Sequence, residues 1–265
     1  MRRGYILREI TVALMIAMNA LAGQDAAVGK LSRDLRSQTW TVRQNAVEKL
    51  TQIPNWARDP EIRKALVDTL AQENSIVFSS YRDNHPVAEK YGEDYDDLYV
   101  SKLIETVMQF ASKPSEQHAL DVLVHSAYNS DSRLAEWLGA QGDAVVPSVM
   151  NLAHGDLDVE RSQAAGVIGQ LLRADRPLHA VPVSQENQLK LKQEVRKAAR
   201  DGSVIVRWDA VHSLGIAADP EDMRLLYEIA GSDPTVDHDS SSFPIREEAQ
   251  RSLEKIRQRQ SNPSK

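Results

Sequence analysis

The chain has 265 residues, carries a formal net charge of −6, is 5% aromatic and contains no cysteine. That length can bury a continuous core in one large domain or two small ones. The missing thiol excludes disulfides, thiolate metal sites and cysteine nucleophiles. An acidic balance without a Lys/Arg cluster argues against binding to a phosphate backbone, so no nucleic-acid partner is expected.

In chain order, the first segment reads as an export signal. Arg2, Arg3 and Arg8 precede an apolar run from Ile10 to Ala22, and Ala20-Leu21-Ala22 has the small-x-small pattern of a cleavage site. The run is short against the ~20 apolar residues of a spanning helix, so no stable membrane insertion is expected after cleavage. Gln24 stands where a lipoprotein carries its cysteine. The expected division is a signal peptide at 1–22, a helical body at 23–258 and a disordered tail at 259–265.

The body repeats itself. "VRQNAVEKLTQI" places Val42, Arg43, Ala46, Leu50 and Ile53 at helical spacing, and "EIRKALVDTLAQEN" follows after an Asp-Pro loop. The stretch 75–99 then reads as a long connection that holds Tyr81, Tyr91, Tyr95 and Tyr99. Two weaker helical pairs follow, the second within "RLAEWLGAQGDAVVPSVMNLAHGD". "ERSQAAGVIGQL" restores the pattern with Arg161, Ala164, Ile168 and Leu171. In "VRWDAVHSLG", Val206, Ala210, Leu214 and the later Ala217 fall within about 80° on a helical wheel, with Asp209, His212 and Ser213 on the other side. "EDMRLLYEIAGSDP" is its shorter partner, and "IREEAQRSLEKI" gives Ile245, Arg246, Ala249, Leu253 and Ile256. The arginines lie 118, 46 and 39 residues apart, which fits a unit of about 40 residues with degenerate copies between. The composition, rich in Ala, Leu, Glu, Gln and Arg, suits helices.

These segments resemble the "VR-x-x-A-x-x-x-L-G" helix of HEAT repeats, of the subtype also seen in phycobilin lyases. The resemblance covers roughly residues 27–258 and is strongest over 203–234. It implies an all-α, armadillo-like solenoid of about five stacked hairpins with an exposed binding face. It also implies a scaffold role, with the lyases as the main enzymatic exception. Arg43, Arg161, Arg207 and Arg246 are the structural repeat positions. Three of them sit near helix starts, where the macrodipole disfavours a cation by some tenths of a kcal/mol. We therefore expect each guanidinium to lie in the seam between units and to pair with a neighbour's carboxylate such as Asp201 or Asp233.

Three clusters invite a chemical reading. Asp209, His212 and Ser213 are the residue types of a hydrolase triad, but His212 and Ser213 point about 100° apart on one helix. A surface ion pair between Asp209 and His212 is expected instead. His118, Asp121 and His125 share a face in "HALDVLVH", with the two histidines separated by about 10.5 Å of helical rise, too far for one ion. A solvated face opposite Ala119, Leu120, Leu123 and Val124 is the expectation, and no metal or cofactor is expected. Tyr81, Tyr91 and Tyr95 are candidate partner contacts on an aromatic loop, or else rings folded back over the flank; Tyr99 should already be helical. The sequence thus points to an exported, non-catalytic adaptor in the periplasm or outside the cell. Its partner would be an unidentified protein, and the chain itself a monomer or part of a hetero-complex. The alternative is an enzyme on the same scaffold, such as a lyase acting on a bound hydrophobic ligand.

Overall fold

The computed structural model describes residues 27–83, 87–92, 95–112, 114–126, 132–173, 175, 177, 179–237 and 242–261. The expected signal peptide lies outside the described residues. The chain is all-α: no strand occurs among the described residues, which hold one isolated bridge between Asp237 and Ser242. Helix α1 covers 27–35, followed by α2 (Trp40–Leu50), α3 (Pro60–Asp83), α4 (Val87–Tyr91) and a π-helical turn, Tyr95–Val100. Next come α5 (Ser101–Ala111), α6 (Gln117–Val124), α7 (Ser132–Ala140) and α8 (Val146–Ala153). The last five are α9 (Asp158–Leu172), α10 (Gln185–Ala198), α11 (Val204–Ala217), α12 (Met223–Ser232) and α13 (Pro244–Ser261).

The helices build a solenoid-like stack in two layers. Helices α7, α9, α11 and α13 lie side by side; α8 packs on α9, α10 on α9 and α11, and α12 on α13. Local chemistry sets the helix starts. Asp59 accepts hydrogen bonds from the N–H groups of Glu61 (2.8 Å) and Ile62 (3.0 Å) ahead of α3, and Asp219 does the same for Glu221 (3.0 Å) before α12. Ala164, Ile168 and Leu171 of α9, Val206, Ala210 and Leu214 of α11, and Ile245, Ala249, Leu253 and Ile256 of α13 are all buried. The repeat positions are therefore core positions. One copy departs from this: in α2 the buried set is Arg43, Ala46, Val47 and Leu50, and Val42 is exposed, because Arg43 itself turns inward.

The layer of α7, α9, α11 and α13 packs closely through small residues. A Cβ on Gly169 of α9 would lie 2.6 Å from Ser213 Oγ and 2.7 Å from Ser213 Cβ in α11, and one on Gly215 of α11 would collide with Ser252 of α13. Ser252 donates to the Val211 carbonyl at 2.9 Å, so this seam is hydrogen-bonded as well.

Two expected boundaries move. The stretch from 75 is not a loop, because α3 continues to Asp83. Nothing in Ser75 to Asp83 breaks a helix, Val77 extends its buried stripe, and Ser75 and Ser79 return their hydroxyls to the carbonyls of Ala71 (3.0 Å) and Ser75 (2.8 Å). At the other end α13 runs to Ser261, and Arg259 donates to the Ile216 carbonyl (3.0 Å) and to Asp175 (3.1 Å), so 259–261 belong to the body. Residues 262–265 lie outside the described residues. No described helix is long and apolar enough to cross a membrane.

Candidate functional site

The repeated arginines form a ladder along the seams. Arg161 clasps Asp201 with two bonds (2.9 and 3.2 Å) and donates to the carbonyls of Gly155 and Asp156 (both 3.1 Å). Arg207 repeats the arrangement: it donates to the carbonyls of Asp201 (2.8 Å) and Gly202 (3.0 Å), to Asp233 (3.0 Å) and to Thr235 Oγ1 (2.6 Å). Arg246 donates to the Asp233 carbonyl at 2.6 Å and lies over the Phe243 ring. Asp201 and Asp233 thus each take one arginine on the carboxylate and the next on the backbone, linking α9, α11 and α13. Carbonyls and carboxylates around each guanidinium answer the cost of placing a cation near a helix start. The hydrogen bond from Arg161 holds the Asp201 carboxyl below the usual range. Burial would raise that of Asp233, but Thr235 and Arg207 outweigh it and hold it low.

Arg43 is the buried variant of this device. It is 2% exposed and reaches the wholly buried Glu73 of α3 through Nε and Nη2, each at 2.6 Å, while Nη1 donates to the Ser37 carbonyl (2.8 Å). Tyr99 donates to Glu73 Oε1 at 2.8 Å and accepts from Arg43 Nε at 3.0 Å; Tyr95 donates to Glu73 Oε2. Trp40 meets Tyr95 edge-on at 5.7 Å between ring centres. Burial, reinforced by Glu73, pushes the Tyr99 hydroxyl far above an ordinary phenol, so it remains a donor. This corrects the reading of Tyr95 as a partner contact: a ring with 0% exposure and its hydroxyl on a buried carboxylate is core. Tyr91 is half-buried and stacks on Tyr95 at 4.8 Å, and Tyr81 is exposed near the end of α3. Glu73 was missed by the pattern reading, although an acid on the same face as Leu66, Leu70 and Val77 signals a buried partner. Beside this cluster, α3 and α4 enclose an open cleft of about 680 Å³, walled by Gln72, Ser75, Ser79, Asp83 and Tyr91 over Ile76.

The triad-like residues of α11 point three ways. Ser213 is wholly buried against α9, and its Oγ finds no hydrogen-bond partner among the described residues. Asp209 turns to α9 and accepts from Ser162 Oγ. His212 turns to α13, where its Nδ1 meets the buried Glu248 at 2.8 Å, and Arg251 holds the other Glu248 oxygen at 2.7 Å. The expected pair between Asp209 and His212 is therefore replaced by contacts to different helices, and the placement of Ser213 on the polar side is corrected. Trp208 stacks on the His212 ring with centres 5.4 Å apart and planes 4° from parallel. Burial would raise the Glu248 carboxyl, but the His212 hydrogen bond and the charges of His212, Lys255 and Arg251 hold it below the usual range.

What remains on the outer side of α11 is an apolar ridge. Val204, Ile205 and Trp208 are 44%, 45% and 37% exposed, while Val206, Ala210, Val211 and Leu214 on the same helix are wholly buried. The His118 face is used differently. His118 is exposed, His125 Nδ1 meets the Asp121 carbonyl at 2.8 Å, and the Asp121 carboxylate holds Gln117 (3.0 Å) and Ser148 (2.5 Å). Ala119, Leu120, Leu123 and Val124 are buried as the pattern required. Among the described residues no three His, Cys, Asp or Glu side chains are grouped to hold a metal ion. Compared with models of known protein families and with curated proteins, the chain matches none.

Proposed function

We propose that the chain is an exported HEAT-repeat adaptor that binds another protein through the outer face of α11. The observation that carries this reading is the ridge Val204, Ile205 and Trp208, held up by a helix whose other sides are locked between α9, α10 and α13. Exposed large apolar side chains on a rigid support are the usual anchors of a protein interface, and tryptophan is over-represented among the residues that dominate binding energy. Export to the periplasm or beyond rests on residues 1–22, with their basic start, apolar run and Ala-x-Ala end. The alternative is an enzyme on the same scaffold acting on a hydrophobic ligand, for which the open cleft beside α3, with Ile76, Val87 and Tyr91 among its walls, is the place to look.

The test is a pull-down from the envelope extract of the source cells, with the wild-type chain and the double variant Ile205→Ser/Trp208→Ala as paired baits. The reading expects a protein retained by the first and lost by the second at equal thermal stability. Equal capture by both baits would move the interface elsewhere.

A further inference from the structure

Asp209 differs from Asp201, Asp233 and Glu248, the acids that close the seams described above. Asp201, Asp233 and Glu248 each receive a cationic side chain: Arg161, Arg207 and Arg251. Among the described residues Asp209 receives only the neutral hydroxyl of Ser162. Burial pushes the carboxyls of Asp209 and Asp222 upward; among the described residues Asp222 is met by Arg196 at 2.5 Å, whereas Asp209 has no arginine or lysine and is eased only by the Ser162 hydroxyl and the neighbouring His212. The nearest basic group, His212, has its Nδ1 on Glu248.

The surroundings of Asp209 fit a guest. Ile205, Trp208, Asp209 and His212 stand at i, i+3, i+4 and i+7, so they form one continuous face of α11. Along α9, Gly166 lies between the residue that meets Asp209 (Ser162) and the one that meets Ser213 (Gly169). A Cβ at Gly166 would touch nothing within 4 Å, so the α9 surface between these two contacts is open.

We propose that this face recognises an arginine side chain of the partner protein, whose guanidinium takes the Asp209 carboxylate while its aliphatic stem lies along Ile205 and Trp208. The inference rests on the binding role proposed above and names the chemistry of that interface. A planar cation with paired donors matches a half-buried carboxylate, and the indole face adds attraction for the same group.

The experiment uses two acetylated nine-residue Gly/Ser/Leu peptides that differ only in a central arginine or its neutral isostere citrulline. Binding is followed by the indole N–H resonance of Trp208, assigned with Trp208→Phe. The expected result is a shift of that resonance by the arginine peptide, with affinity about tenfold above the citrulline peptide. Asp209→Asn should erase the preference without lowering Tm, because Asn still accepts from Ser162 and an unpaired carboxylate is removed. Equal binding of the two peptides overturns the arginine assignment but leaves the ridge as a docking face. Failure of the arginine peptide to move the Trp208 signal also overturns it, while the pull-down separately decides the binding role. A lowered Tm for Asp209→Asn would make Asp209 a structural partner of Ser162 and likewise overturn the proposal.

Discussion

Adding one methyl group to α9 should have opposite effects at two glycines three residues apart. In a helix interior Gly→Ala is worth up to about 1 kcal/mol of stability where the new Cβ meets nothing. Gly166 is such a position, with no atom within 4 Å of an added Cβ. At Gly169 the same Cβ would sit 2.6 Å from Ser213 Oγ, 2.7 Å from its Cβ and 2.9 Å from its Cα. Backbone-linked atoms at that distance cannot rotate away, so α9 and α11 must separate. Overpacking of this kind costs about 1–3 kcal/mol, which offsets the helical gain and leaves Gly169→Ala destabilised by up to about 2 kcal/mol. Urea denaturation followed by far-UV circular dichroism measures both variants. The double variant Gly169→Ala/Ser213→Gly should recover most of the loss, since it removes the Oγ and Cβ that collide. A Gly169→Ala protein as stable as Gly166→Ala would refute the close approach of these helices.

Four further outcomes follow from the polar contacts. Glu73→Ala strands the buried Arg43 and two tyrosine hydroxyls, and loss of one partner from a buried pair costs about 3–5 kcal/mol; thermal unfolding that stays within 1 °C of wild type would refute the buried cluster. Arg207→Ala removes charge-assisted bonds to Asp233 and to two loop carbonyls, so a loss of roughly 2 kcal/mol, or about 6 °C in Tm, is expected; an unchanged Tm would remove the ladder from the stability argument. Acid should weaken the fold through Asp201, Asp233 and Glu248, whose folded-state values lie below their unfolded ones. Their contribution is complete above the unfolded range of about 3.9–4.3 and is lost as pH falls through the lower folded values, so stability measured between pH 7 and pH 2.5 should drop mainly below about pH 4. Asp209 has the opposite sign: its raised value weakens the fold above the titration, so the advantage of Asp209→Asn should be greatest near neutrality and shrink as pH falls toward about 3.9.

The repeat was legible because packing fixes it. Val206, Ala210 and Leu214 recur as Ile245, Ala249 and Leu253 since each must fill the same space between layers, and both sets are buried. Asp201 and Asp233 could be foreseen as arginine partners because a cation near a helix start needs compensation. Ser213 could not be placed by a wheel that assumes one buried face. Helix α11 has neighbours in α9, α10 and α13, so burial extends to Val211, Ser213 and Gly215, and the signal was their small size. The tyrosines of 75–99 misled for a related reason. Aromatic residues in an apparent loop look exposed, whereas Tyr95 and Tyr99 stand one helical turn apart and both serve Glu73.

The same packing that hides Ser213 makes the ridge of α11 suited to recognition. The buried set Val206, Ala210 and Leu214, the close approach at Gly169 and the Arg207 clasp together fix the rotation of α11 about its axis. Once that rotation is set, Ile205, Trp208 and Asp209 have one orientation to offer, and the stack of Trp208 on His212 removes a further rotamer choice. A partner of the kind proposed would then meet a surface already ordered and lose little binding energy in arranging the face. The consequence is a coupling between seam and surface. Gly169→Ala touches no residue of the ridge, yet by displacing α11 from α9 it should weaken partner capture as well as stability. Gly166→Ala leaves the seam intact but adds a methyl to the open α9 surface between the Ser162 and Gly169 contacts, so it should weaken capture while raising Tm. If capture by the two variants simply followed their stabilities, recognition would depend on the amount of folded protein and not on the placement of α11.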